Sequence, residues 1–180
     1  MTNDTKQMLG EGLAERFQPE RIYDPKVILE VRGLKKYFPI KKGLLQRVAG
    51  NVKAVDDVSF FVREGETLGL VGESGCGKTT ASRAVIRLYE PTGGVAYFKS
   101  HVLSDTDEPV IVNLMELDKN QMKLIRREMS MIFQDPINSL NPRMSVFDIV
   151  SEPMVIHGQT DRSENEKIVT NLLERVGLRA

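Results

Sequence analysis

Residues 72–80 read Gly-Glu-Ser-Gly-Cys-Gly-Lys-Thr-Thr, the run in which residue type and spacing most clearly imply chemistry. Gly72, Gly77, Lys78 and Thr79 meet the G-x-x-x-x-G-K-[ST] spacing of a phosphate-binding loop. Glycines at 72, 75 and 77 let the backbone turn sharply and bring its N–H groups close to an anion, because no Cβ blocks the approach. The amides of Glu73, Ser74, Cys76 and Thr80 belong to the same nest, and a following helix aims about half a positive charge at it. Lys78 adds a full, mobile charge for the β- and γ-phosphates. The Thr79 hydroxyl is placed to ligate Mg²⁺. The bland alternative is an ordinary glycine turn between a strand and a helix. Cys76 has two readings as well: a thiol whose pKa is lowered by the helix start and Lys78, or a small tolerated side chain.

The elements that must hold this loop are written around it. Residues 67–71 form an apolar run expected to be a buried strand, and Ala81, Ala84, Val85 and Leu88 recur at i, i+3, i+4, i+7 on one helix face. Residues 91–94 (Pro-Thr-Gly-Gly) stop that helix. Upstream, residues 27–31 and 34–38 read as strands, the second ending at Pro39, which cannot join a central ladder. Residues 41–51 read as a basic loop, able to touch anionic lipid or a partner, or simply solvated. Residues 52–62 give one or two strands and 63–66 a turn. Residues 1–25 form a polar tail in which Leu9, Leu13 and Phe17 allow a short helix.

Downstream, residues 95–98 read as a strand and 100–109 as a loop. Asp118 and Gln121 form a capping box for a helix carrying Met122, Ile125 and Met129. Residues 130–133 read as a strand, and 134–143 as an irregular loop. Val146, Ile149 and Val150 open a helix interrupted near Pro153. Ser163 and Glu166 suggest a capping box for a last helix with Ile168, Val169, Leu172, Leu173 and Val176 on its apolar face and Gly177 as its stop. Alternating strands and helices point to an α/β core with helices on a largely parallel sheet.

Lys plus Arg and Asp plus Glu number 25 each, so charge balance gives no support for nucleic acid as a partner. Apolar residues at 41% and charged residues at 28% are ordinary for a globular protein with a real core. One cysteine cannot form an internal disulfide, which favours a reducing compartment. No apolar run reaches the roughly 18 residues of a membrane span, and the start lacks a signal-peptide core. The expected location is cytosolic, or at a membrane by docking.

KKYFP at 35–39, GLVGESGCGKTT at 69–80, IFQDP and SLNPR within 132–143, SEP at 151–153, HG at 157–158 and LLERVGL at 172–178 together carry a family resemblance. With them, residues 27–178 resemble an ABC-transporter ATP-binding subunit of the oligopeptide, dipeptide and nickel importer type, nearer the F-type ATPase subunit than its D-type partner. The resemblance implies a P-loop ATPase fold: an α/β core with an N-terminal antiparallel β part and the start of a helical subdomain. Its divisions would be a tail at 1–26, a partial nucleotide-binding core at 27–143 and a helical subdomain from 144 to 180. ATP and Mg²⁺ are the implied cofactors, with residues 72–80 on the phosphates.

By the same resemblance Tyr37 stacks on adenine; from the residue alone it reads as a half-buried strand tyrosine. Gln134 becomes the Q-loop glutamine that positions Mg²⁺ and the attacking water, beside Lys78 as the second residue engaged in phosphoryl transfer, while its bland reading is a strand-end glutamine. Residues 135–143 correspond to the region meeting a membrane subunit, with Ile137 and Leu140 as contacts or as plain loop anchors. Implied partners are a second ATPase subunit, two transmembrane permease subunits and, indirectly, an extracytoplasmic solute-binding protein, with no nucleic acid. The site would be peripheral, on the cytoplasmic side of the membrane.

LSGGQ, an apolar strand ending in Asp-Glu, and the switch histidine are not found after Gln134. His101 and His157 do not inherit the last role. The chain is therefore expected to be the N-terminal part of a longer ATPase, with little turnover alone. A non-catalytic module binding nucleotide or permease is the rival reading. A kinase or GTPase is disfavoured because N-K-x-D is missing.

Overall fold

A computed structural model describes residues 24–43, 46–135 and 139–178. The possible helix through Leu9, Leu13 and Phe17 and the contact residue Ile137 lie outside the described residues. The chain divides into two compact units, Met1–Ser130 and Met131–Ala180.

In the first unit, four antiparallel strands form one sheet in the order β2-β1-β3-β4. They are β1 (Val27–Lys42), β2 (Arg47–Arg63), β3 (Gly93–Ser100) and β4 (Val110–Asn113). The antiparallel β part is thus as expected, but its strands are longer. β1 runs straight through Pro39. The pairing of β1 with β3 ends at Lys35, so at Pro39 only β2 is a neighbour, through Asn51. A residue without an N–H is tolerated at such an edge. Much of the expected loop at 41–51 is strand instead, because Lys41 and Lys42 pair with Val48 and Arg47. β4 had no expected counterpart; its Val-Ile-Val-Asn is too short to show a period.

Helix α1 (Lys78–Val85) lays Ala81, Ala84 and Val85 into the core beside Val31, Leu34, Val55 and Ala96. It stops before Leu88, which is exposed. Arg87 adopts a left-handed turn (φ 53°), and its guanidinium donates to the carbonyl oxygens of Leu114 (2.9 Å) and Leu117 (2.6 Å). Those two bonds tie the helix end to the chain beyond β4. Helix α2 (Lys119–Ile125) begins with the expected box. Asp118 accepts from the amides of Asn120 and Gln121, and Gln121 Oε1 accepts from the Asp118 amide. Met122 and Ile125 are buried and Met129 packs against the same core.

Two expected strands are corrected. Residues 67–71 and 130–133 join no ladder among the described residues. Val71 is 96% exposed and Ile132 94% exposed. An apolar run becomes a strand only beside a neighbour that takes its backbone hydrogen bonds, and none is described here. The expected parallel sheet is accordingly not seen among the described residues.

The second unit holds α3 (Val146–Ile156) and α4 (Arg162–Arg175). Helix α3 is continuous across Pro153, contrary to expectation. Ser145 caps its start, and the Pro153 carbonyl still accepts from the His157 amide. Helix α4 is capped by Asp161, which accepts from the amides of Ser163 and Glu164; Ser163 lies inside the helix and is not the cap. Aspartate wins because it sits one residue before the first helical position, within reach of both orphan amides. Gly177 ends α4 as expected: its amide donates to Glu174 (2.9 Å) and that of Leu178 to Leu173 (3.0 Å). Of the expected apolar face only Val169 is buried, whereas Leu172 and Val176 are exposed.

Candidate functional site

The loop between residue 71 and α1 has the conformation its glycines permit, and each glycine serves a different end. Gly75 lies at φ +82° with open space where a Cβ would be. Gly77 lies at φ +98°, and a Cβ there would stand 2.1 Å from the Ala54 carbonyl oxygen of β2. A Cβ at Gly72 would stand 2.7 Å from Cys76 Sγ. Room at 72 and 77 is therefore taken by the protein's own atoms: one glycine closes the loop on itself, the other lets it lie flat on the sheet.

That coil leaves the amides unspent. Between residues 72 and 77 the Cys76 amide donates to Glu73 O (3.3 Å), and no other loop amide reaches a backbone acceptor among the described residues. Gly77 is the N-cap of α1 and supplies no side-chain cap. The first-turn amides of a helix have no intrahelical acceptor, so those of Lys78 and Thr79 add to the same positive end. The loop is exposed from Gly72 through Cys76. Lys78 Nζ donates to the carbonyl oxygens of Gly72 (2.7 Å) and Glu73 (2.7 Å) and approaches Cys76 Sγ at 3.5 Å. Expected as a mobile charge, the ammonium is instead the clasp of its own loop. Donors along the backbone, a helix start and one ammonium form a donor set suited to a polyphosphate. The Thr79 hydroxyl, at the exposed first turn, is the oxygen a hard cation beside those phosphates would take.

A cavity of about 330 Å³ adjoins the loop, lined by Lys53 and Asp56 of β2, Val71, Cys76, Gly77 and Lys78 among others. Tyr37 reaches its rim through Asp56. The register sets Tyr37 opposite Lys53, the Tyr37 hydroxyl donates to Asp56 Oδ1, Lys53 Nζ donates to Asp56 Oδ2 (3.0 Å), and that ammonium stands 5.3 Å from the Tyr37 ring centroid. The Tyr37 hydroxyl and then the Lys53 ammonium hold the Asp56 carboxyl below its usual range, and Asp56 in return raises both Tyr37 and Lys53. Lys53 and Asp56 escape a sequence reading because only the register reveals them. Their signal was the strand reading of residues 52–62, which could not say what lay opposite. Gln134 is an exposed residue of the second unit.

The family description "ABC transporter" matches residues 55–180. The chain belongs to that family. It is 51% identical over 152 residues to the oligopeptide transport ATP-binding protein AppF of Bacillus subtilis, covering 84% of this chain and 43% of that protein. It is 41% identical over 153 residues to the dipeptide transport ATP-binding protein DppF of Haemophilus influenzae, covering 85% of this chain and 43% of the relative. The chain thus spans less than half the length of these curated relatives. Among solved structures, the dimeric post-hydrolysis state of the ATP-binding cassette MJ0796 bound to ADP and Pi matches with a TM-score of 0.60 at 23% identity. That match covers 82% of this chain and 56% of that one. At such identity the match speaks for the fold, that of an ABC ATP-binding cassette.

Proposed function

We propose that this chain binds Mg-ATP through residues 72–80 and, within the whole protein, works as the ATP-hydrolysing subunit of an importer for peptides or a related small solute. The observation that carries the reading is the exposed loop whose free amides, helix start and Lys78 ammonium converge on one spot. Relatives named as oligopeptide and dipeptide transport ATP-binding proteins support the solute class. ATP brings its own leaving group, and Mg²⁺ spreads the charge that develops on the phosphates. The chain's residues bind and orient. The loop amides take phosphate oxygens, Lys78 turns a donor from its loop carbonyls to the γ-side, Thr79 offers a metal ligand, Tyr37 stacks on the base, and Gln134 positions water and metal. A second ATPase subunit, two permease subunits and an indirect solute-binding protein complete the assembly, which places the chain at the cytoplasmic face of the membrane. In this reading residues 27–143 belong to the nucleotide-binding core and 144–180 open the helical subdomain.

Titration of a fluorescent ATP analogue tests the reading. Lys78→Ala is expected to weaken binding at least tenfold, since a charge-assisted contact to phosphate is removed; equal affinity for variant and parent would sink it. Tyr37→Ala is expected to lose roughly 1–3 kcal/mol of stacking, five- to over a hundredfold in Kd, while Tyr37→Phe keeps the ring and the affinity. Alkylation of the exposed Cys76, 3.5 Å from Lys78 Nζ, is expected to block nucleotide binding and to be slowed by saturating ATP. An unchanged alkylation rate would count against the loop as the site.

A further inference from the structure

The far end of the β1–β2 hairpin has features the nucleotide site does not use. Residues 35–53 contain six cations, Lys35, Lys36, Lys41, Lys42, Arg47 and Lys53, and no acid. Two are engaged: Lys36 Nζ donates to the Glu90 carbonyl (2.7 Å) and Lys53 pairs with Asp56. Lys41, Lys42 and Arg47 are exposed and make no ion pair among the described residues. Apolar side chains stand between them: Ile40, Val48 and Val52 are 41%, 61% and 53% exposed.

The register distributes both kinds over both faces. Phe38, Ile40 and Lys42 alternate with Tyr37, Pro39 and Lys41 along β1. Val52 lies opposite Phe38, Arg47 opposite Lys42, and Val48 opposite Lys41 across the irregularity after Ile40. One face therefore carries Ile40, Val52, Lys42 and Arg47, and the other Val48 and Lys41. A flat, acidic protein surface would engage one face and leave the other's apolar groups wet. A fluid anionic interface takes both, since apolar side chains enter below the headgroups while lysine and arginine stems reach up to the phosphates.

We infer that residues 40–42 of β1 and 47–52 of β2 form a direct contact for anionic phospholipid headgroups, additional to any docking on membrane subunits. The contact needs neither nucleotide nor turnover. Each cation near such a surface contributes about fivefold in partition, and the attraction weakens with salt.

The test is sedimentation of the full chain with vesicles of phosphatidylcholine alone or mixed with phosphatidylglycerol. The expected result is binding to the anionic vesicles only, reduced at high salt. Lys41→Gln/Lys42→Gln/Arg47→Gln lowers it on the order of a hundredfold, Lys41→Glu/Lys42→Glu/Arg47→Glu lowers it more, and both unfold at the parent's temperature. Ile40→Ser/Val48→Ser/Val52→Ser lowers it further at high salt. Lys78→Ala partitions like the parent, so failure here is separable from failure of the nucleotide reading. Equal binding to neutral vesicles, or unchanged partition of the charge-reversed variant, overturns the inference. Capture by soluble polyglutamate as tight as by vesicles overturns it in favour of an acidic protein surface.

Discussion

Glycine 77 and glycine 75 look equivalent in a motif but do different physical jobs. At Gly75 an added methyl meets open space and suffers only the left-handed backbone, a cost of about 1–2 kcal/mol. At Gly77 the same methyl would also overlap the Ala54 carbonyl, so the loop must lift from the sheet. Gly77→Ala is therefore expected to lower the urea midpoint clearly more than Gly75→Ala; equal losses would refute the contact with β2. The Tyr37, Lys53 and Asp56 cluster makes a pH prediction. Asp56 has its pKa lowered in the fold, so its contribution is present above the ordinary carboxylate value near 4 and is lost as pH falls through the lowered one. Asp24, bonded to Arg63, and Glu64, bonded to Lys99, shift the same way for the same reason. Tyr37 and Lys53 are raised, so their contribution holds below about pH 10 and is lost as pH rises through the raised values. Unfolding followed from pH 6 to 3 should show a shallower decline for Asp56→Asn than for the parent.

At the scale of elements, capping separates what pattern can and cannot say. The Asp118 and Gln121 box was legible because both partners sit at the required spacing before an apolar periodicity, and the structure forms both bonds. The Ser163 and Glu166 spacing met the same rule, yet Asp161 stands upstream with a carboxylate aimed at two amides. Asp161→Ala should cost about 1 kcal/mol of α4 stability and Ser163→Ala less than half of that, read by amide exchange in the first turn; the reverse order would restore the serine cap. Helix α3 makes a related point. Proline removes one i→i−4 bond, but a ladder fixed by the Ser145 cap at one end and by Gly158 at the other, whose amide donates to Val155 (3.0 Å), carries across it.

Across the whole molecule, exposed apolar surface is the dominant physical fact. Leu68, Leu70 and Val71 in the first unit, and Ile132, Phe133 and Leu140 in the second, meet solvent. Backbone without a ladder beside such side chains invites pairing with another chain. The isolated 180-residue chain should therefore self-associate as its concentration rises, and Val71→Asn and Ile132→Asn should each reduce this in sedimentation velocity. Monodisperse behaviour of the parent at high concentration would count against that view.

Local rules, acting within about ten residues, were enough to locate the phosphate loop, the helix behind it, the box at Asp118 and the stop at Gly177. Each depends on atoms near one another along the chain: a helix start, a glycine's dihedral, a carboxylate beside an amide. Tertiary structure alone decided the rest. It set Lys53 and Asp56 around Tyr37, turned the Lys78 ammonium onto the Gly72 and Glu73 carbonyls, carried β1 past Pro39, and left residues 67–71 and 130–133 without strand partners among the described residues. Register, edge position and ladder pairing join residues distant in the chain, and a strand's hydrogen bonds are completed by a neighbour whose position no local pattern contains.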